Sequence, residues 1–224
     1  MEKRLFLVAN WKSHKTMAEA QTFIEQYDEK STQTVIVCPP FPYLLPLKEA
    51  VAQKQIKLGA QDISNYPFGA YTGAVSADML KGVAEYVIVG HSERRRYFQE
   101  TNEVVANKAR LALEAGMTPI VCLDKPYMNA QLAFFGVDEC RRMIIAYEPV
   151  EAIGSGQPDT PEAADAVAAI IQQLTQSTIP VIYGGSVDEK NVASFVAQPH
   201  ISGVLVGGAS LEVNQWQALV QAAN

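Results

Sequence analysis

A chain of 224 residues is long enough to bury a sizeable hydrophobic core in one large domain. Its 48% hydrophobic and 19% charged residues are an ordinary globular composition. A formal net charge of -6 with no Lys/Arg cluster argues against a nucleic-acid surface, yet leaves room for a small anionic substrate held by a few local donors.

The first apolar run, residues 5–9, follows the basic pair Lys3 and Arg4 but stops at Asn10 and Lys12, too short for an export signal. No stretch approaches membrane-spanning length. Residues 16–29 carry Met17, Ala20, Phe23, Ile24 and Tyr27 at helical spacing. Further short apolar runs follow at 34–38, 56–60 and 86–90. Residues 102–115 read as a helix ending at Gly116, and a run at 118–122 comes next. After the run at 143–147, Thr160, Pro161 and Glu162 form an N-cap, first position and acidic first turn for a helix over 161–176. Runs at 180–184 and 203–207 complete the set. Cys38, Cys122 and Cys140 are an odd number without CxxC spacing, so they read as free thiols in a reducing, cytoplasmic setting.

The runs start between 22 residues apart (Thr34 to Ile56) and 37 apart (Met143 to Pro180), room enough for a crossover helix. Their near-continuous apolarity marks strands covered on both faces. Eight such alternations predict one α/β domain over residues 1–224, a (β/α)8 barrel of eight parallel strands. An open doubly wound sheet is the alternative that the pattern also allows.

In such barrels the reactive groups gather beyond the C-terminal strand ends. The first run leads into Asn10 and Lys12, the third into Gln61, the fourth into His91, Ser92 and Glu93, and the sixth into Glu148. The last two lead into Gly185 and Ser186, and into Gly207 and Gly208. Singly, each has a plain explanation: a solvated lysine, a structural histidine, a capping glutamate, tight glycine turns. Together on one rim they suit acid–base work on a small anion.

Several motifs resemble triosephosphate isomerases: NWK at 10–12, GAYTG at 69–73, GHSERR at 90–95, AYEP at 146–149, AIGSG at 152–156, YGGSV at 183–187 and LVGGASL at 205–211. They stand in the family's order and cover nearly the whole chain. The resemblance implies that dihydroxyacetone phosphate and glyceraldehyde 3-phosphate are interconverted through an enediolate. It implies Glu148 as general base, neutral His91 as electrophile, and Lys12 as electrostatic anchor assisted by Asn10; these roles come with the family and are not read from spacing. Ser92 and Glu93 would open the helix behind His91, with Glu93 paired to Lys12. Backbone amides of Gly154, Ser186, Gly207 and Gly208 would hold the phosphate, and residues 149–159 would form a lid. Neither metal nor organic cofactor is implied. The loop between Gly69 and Gly73 would make a homodimer, with Thr72 reaching the partner's site.

The chain also departs from the family pattern. Glu151 replaces a lid Trp, Gln157 a Lys, and Asp159 a small residue; Ala74 replaces Glu; Leu123 and Asp124 replace Gly-Glu. The short stretch before the sixth strand implies a slightly reduced fifth helix, as in short archaeal members, which are sometimes tetramers. Glu151 is expected to alter lid motion and not proton transfer. Two rival functions are an isomerase of a four-carbon sugar phosphate and a non-catalytic phosphate-sugar binder. A binder would have no need of a carbon base.

Overall fold

All eight apolar runs become parallel strands, with bounds shifted by at most two residues. The computed structural model describes residues 3–150, 158–176 and 178–224. The strands are β1 (Phe6–Asn10), β2 (Thr34–Cys38), β3 (Lys57–Ala60), β4 (Tyr86–Val89), β5 (Thr118–Leu123), β6 (Ile144–Tyr147), β7 (Val181–Tyr183) and β8 (Ile201–Val206). Each pairs with its neighbours in sequence, and β1 pairs with β8, Val8 lying opposite Leu205. The sheet therefore closes into a (β/α)8 barrel. An open doubly wound sheet would leave two edge strands, so closure excludes it.

The helices are α1 (Met17–Gln26), α2 (Phe41–Gln53), α3 (Ala77–Leu80), α4 (Ser92–Phe98), α5 (Asn102–Glu114), α6 (Met128–Leu132), α7 (Val137–Cys140), α8 (Pro161–Leu174), α9 (Val192–Val196) and α10 (Val213–Ala222). Their starts follow the capping chemistry in the sequence. Thr16 accepts the Glu19 N–H at 3.3 Å while Glu19 accepts the Thr16 N–H, a reciprocal capping box for α1. Thr160 accepts the Ala163 N–H at 3.2 Å at the head of α8. Between β5 and β6 the connection is a 3-10 turn (Lys125–Tyr127) followed by the short α6 and α7.

Two apolar layers result from the period-two alternation of the strands. Val8, Ile36, Cys38, Ile88, Ile120, Cys122, Ile144, Ala146, Ile182 and Leu205 fill the barrel interior. The residues between them, such as Leu7, Val37, Val87, Val121 and Ile145, face the helices and join the larger outer core. Register keeps the inner set level: Ile120 lies opposite both Ile88 and Ile144, and Ala146 opposite both Cys122 and Ile182. A side chain two positions beyond this layer must rise from the barrel's C-terminal mouth.

Candidate active site

Counting two residues on from the inner layer gives Asn10 after Val8, Glu148 after Ala146, Gly184 after Ile182 and Gly207 after Leu205. All four line one cavity of about 420 Å³ at the barrel mouth. His91 is one position out of phase, and Gly90 explains why. Gly90 has φ +69, and a Cβ there would sit 2.7 Å from Val105 on the outer layer. Residue 90 thus continues outward after Val89, the alternation breaks, and His91 turns into the mouth.

His91 then caps α4. Its Nδ1 accepts the Glu93 N–H at 3.2 Å, so that nitrogen carries no hydrogen and the ring proton sits on Nε2. The Glu93 carboxylate, 3.6 Å from Nδ1, lies beyond hydrogen-bond reach. Nε2 faces Glu148 Oε1 at 3.2 Å, and Glu148 Oε2 accepts the Ser92 N–H at 3.1 Å. Glu148 is 2% exposed. A single helical turn therefore grips both the imidazole and the carboxylate.

Cys122 lies in the barrel interior one step before Glu148's level, paired in register with Ala146. Burial, and then the Glu148 charge, hold the Cys122 thiol well above the usual thiol range, so it stays protonated. Gly184 leaves the carboxylate its space: a Cβ there would come within 2.9 Å of Glu148 Cγ.

Lys12 enters from the opposite wall. Its backbone is left-handed, at φ +51. That conformation costs about 1–3 kcal/mol in a non-glycine residue. Asn10 Oδ1 accepts the Lys12 N–H at 3.0 Å, and Gln61 Nε2 donates to the Lys12 carbonyl at 2.7 Å. Two bonds of about 1 kcal/mol each are of the right size to offset it. The ammonium meets Glu93 Oε1 at 2.6 Å. A pair this exposed adds little stability, so its value lies in aiming the charge. The side chain passes over Gly207, where a Cβ would lie 3.3 Å from Lys12 Cε.

Ser186, Gly207 and Gly208 line the same cavity. Ser186 is left-handed at φ +48, and its carbonyl accepts from Asn191 Nδ2 at 3.2 Å. Gly208 begins a 3-10 turn (Gly208–Ser210). Gly154, Glu151 and Gln157 lie outside the described residues. Thr72 stands in an exposed loop and does not line this cavity. Asp124 and Asp159 hold the two ends of the chain around the undescribed stretch. Asp124 Oδ2 accepts the Val150 N–H at 3.2 Å, and Asp159 accepts from the Tyr147 hydroxyl at 2.9 Å. Gln61 was read from sequence as a rim residue, whereas Cys122, Gly184 and Asn191 were not singled out. Period two, counted from the inner layer, would have found Gly184.

A family model described as triosephosphate isomerase matches residues 5–223. The chain belongs to the triosephosphate isomerase family. Among curated relatives, the triosephosphate isomerase of Thermus thermophilus is 42% identical, with 99% of each chain covered. Those of Dehalococcoides mccartyi and Carboxydothermus hydrogenoformans are each 39% identical, covering 99% and 98% of this chain and 97% and 98% of their own.

The cramped fit at Gly184 makes a direct test. In Gly184→Ala the new methyl displaces the Glu148 side chain, and turnover is expected to fall by about 100-fold, the order that a 1 Å misplacement costs. Isomerase kinetics alongside thermal unfolding check it; unchanged turnover in a folded variant would show that Glu148 is not held by this contact.

Proposed function

We propose that this chain interconverts dihydroxyacetone phosphate and D-glyceraldehyde 3-phosphate by proton transfer, with Glu148 as base, His91 as electrophile and Lys12 as fixed positive charge. One observation carries the reading: Glu148 and His91 face each other across 3.2 Å at a mouth that Lys12 and glycine turns also line. Substrate entering between them takes over both ends of that hydrogen bond. The carboxylate is then free to remove a hydrogen from C1 of the ketone, and the electron pair moves onto O2. Nε2–H of neutral His91 and the Lys12 ammonium stabilise the enediolate in a site largely withdrawn from water, where such donors count for more than in bulk solvent. The hydroxyl hydrogen passes from O1 to O2, and Glu148 returns its proton to C2, which gives the aldehyde.

Backbone amides of Gly154, Ser186, Gly207 and Gly208 hold the phosphate in this reading. Glycine at 207 and 208 lets the main chain approach the dianion, and the turn that follows presents its amide end. A phosphate bound away from the reacting carbons orients them and helps confine the enediolate. Asn10, Ser92 and Glu93 support the reacting groups through the bonds described above.

The working assembly is a homodimer through the loop between Gly69 and Gly73, with Thr72 directed at the partner's site. Support comes from the aromatic character of that region: Tyr66, Phe68 and Tyr71 are 52%, 70% and 42% exposed, and Tyr66 stacks on Tyr71 at 4.5 Å. Exposed apolar side chains gathered in one region mark an interaction surface. Three buried free thiols support a reducing, cytoplasmic setting.

A coupled assay with glyceraldehyde 3-phosphate on purified protein is expected to show isomerisation. In Glu148→Asp, which retracts the carboxylate by one methylene, kcat should drop by at least about 100-fold with KM far less affected. Undiminished turnover would remove Glu148 as the base. Sedimentation at micromolar concentration should give a dimer, and a folded, fully active monomer would refute the assembly.

A further inference from the structure

Within five residues after β1 the chain twice adopts a left-handed backbone at lysine, Lys12 at φ +51 and Lys15 at φ +71. The first is accounted for by the site. The second faces no reacting group, and glycine would occupy that conformation without strain.

Lys15 is nevertheless tied at both ends. Its carbonyl accepts from the Tyr43 hydroxyl of α2 at 3.0 Å. Its side chain crosses the barrel rim, passes over the rings of Trp11 and Phe23 at 5.2 and 4.9 Å, and donates its ammonium to the Leu211 carbonyl. Trp11 and Phe23 are buried, so the ammonium is steered by a rigid apolar wall. Burial lowers the Lys15 pKa, as expected of a head partly withdrawn from water.

Leu211 is the residue that closes the 3-10 turn beginning at Gly208. The carbonyls at the end of such a turn lack partners within it, and a cation placed there satisfies one of them. The turn's internal bonds run from Ser210 N–H to Gly207 O at 2.9 Å and from Leu211 N–H to Gly208 O at 3.0 Å. Holding the Leu211 carbonyl therefore fixes the whole turn, including the glycines at its cavity end.

We infer that Lys15 is a positioning residue for the phosphoryl group, strapping the β8 turn with Gly207 and Gly208 to the β1 loop with Asn10 and Lys12. This rests on the reading of Gly207 and Gly208 as phosphate donors. The strap sets the spacing between the amides that receive the phosphate and the ammonium that faces the reacting oxygens. A strained backbone at residue 15 is tolerated because only a long cationic side chain spans that gap.

The test uses Lys15→Met, Lys15→Gly and Lys15→Arg, with inorganic phosphate as a competitive inhibitor. In the first two variants, Ki for phosphate and KM for glyceraldehyde 3-phosphate should rise together by about three- to tenfold, while kcat stays within about twofold. Lys15→Arg, which keeps a donor head, should hold Ki within about twofold of the parent. Thermal unfolding separates this from simple loss of structure: Lys15→Gly relieves the backbone and should melt no lower than Lys15→Met, yet share its raised Ki. Unchanged Ki in Met and Gly variants of a parent that phosphate inhibits would overturn the strap, as would a fall in kcat and melting temperature with Ki constant. If phosphate does not compete in the parent protein, the donor assignment of Gly207 and Gly208 fails, and the strap fails with it.

Discussion

Two backbone amides at the start of α4 organise the whole site. Ser92 N–H holds the Glu148 carboxylate and Glu93 N–H holds His91 Nδ1, so the proposed base and electrophile, which follow strands β6 and β4, share one rigid mount. Amides make a good mount because their direction is set by the chain and they cannot lose a proton. The first turn of a helix has such donors to spare. The same bond decides the chemistry of the imidazole. A ring that accepts at Nδ1 must present Nε2–H to the mouth, where it can donate to an oxygen that is gaining charge.

For this to work α4 must be held in place, and the surrounding charges supply the ties. Arg95 donates to the Gly90 carbonyl at 2.9 Å, to Asn102 at 2.8 Å and to Gln131 at 2.8 Å, and stacks over Tyr127. Arg94 reaches Asp62 at 2.9 Å and Glu100 at 2.6 Å, both of which also bind the buried Lys108. These groups fasten α4 to α5 and to the loop after β3. Buried ion networks of this kind seldom add much net stability, but loss of one member leaves an uncompensated charge, so they enforce a single arrangement. The barrel provides the frame, and the charges fix one short helix within it.

Much of this was legible in the residues. Strand runs, the Thr160 cap and the strand-end polar groups follow from local chemistry, and local chemistry is what a sequence displays. The β8 boundary was less so: the strand begins at Ile201, two residues before the apolar run suggested, because Ile201 pairs with Val181 across an irregular step in β7. The roles of Cys122 and Lys15 depend on contacts between distant elements. A cysteine inside a strand looks like any small core residue until register places it beneath Glu148. A lysine five residues past a strand looks solvated until its reach to Leu211 is known. His91 was recognised by motif, whereas its inward direction is explained only by the outward-facing Gly90.

The departures from the family pattern concentrate beside Glu148 and spare it. Asp124 and Asp159 bind Val150 and Tyr147, which flank Glu148, and not Glu148 itself. The central claim concerns the imidazole, and nitrogen NMR of ring-labelled His91 in the ligand-free protein at neutral pH tests it most directly. The expected spectrum shows a hydrogen on Nε2 and a bare, hydrogen-bond-accepting Nδ1. A hydrogen found on Nδ1 would contradict it, because the Glu93 amide could not then be its partner and the mount for the reacting pair would be lost.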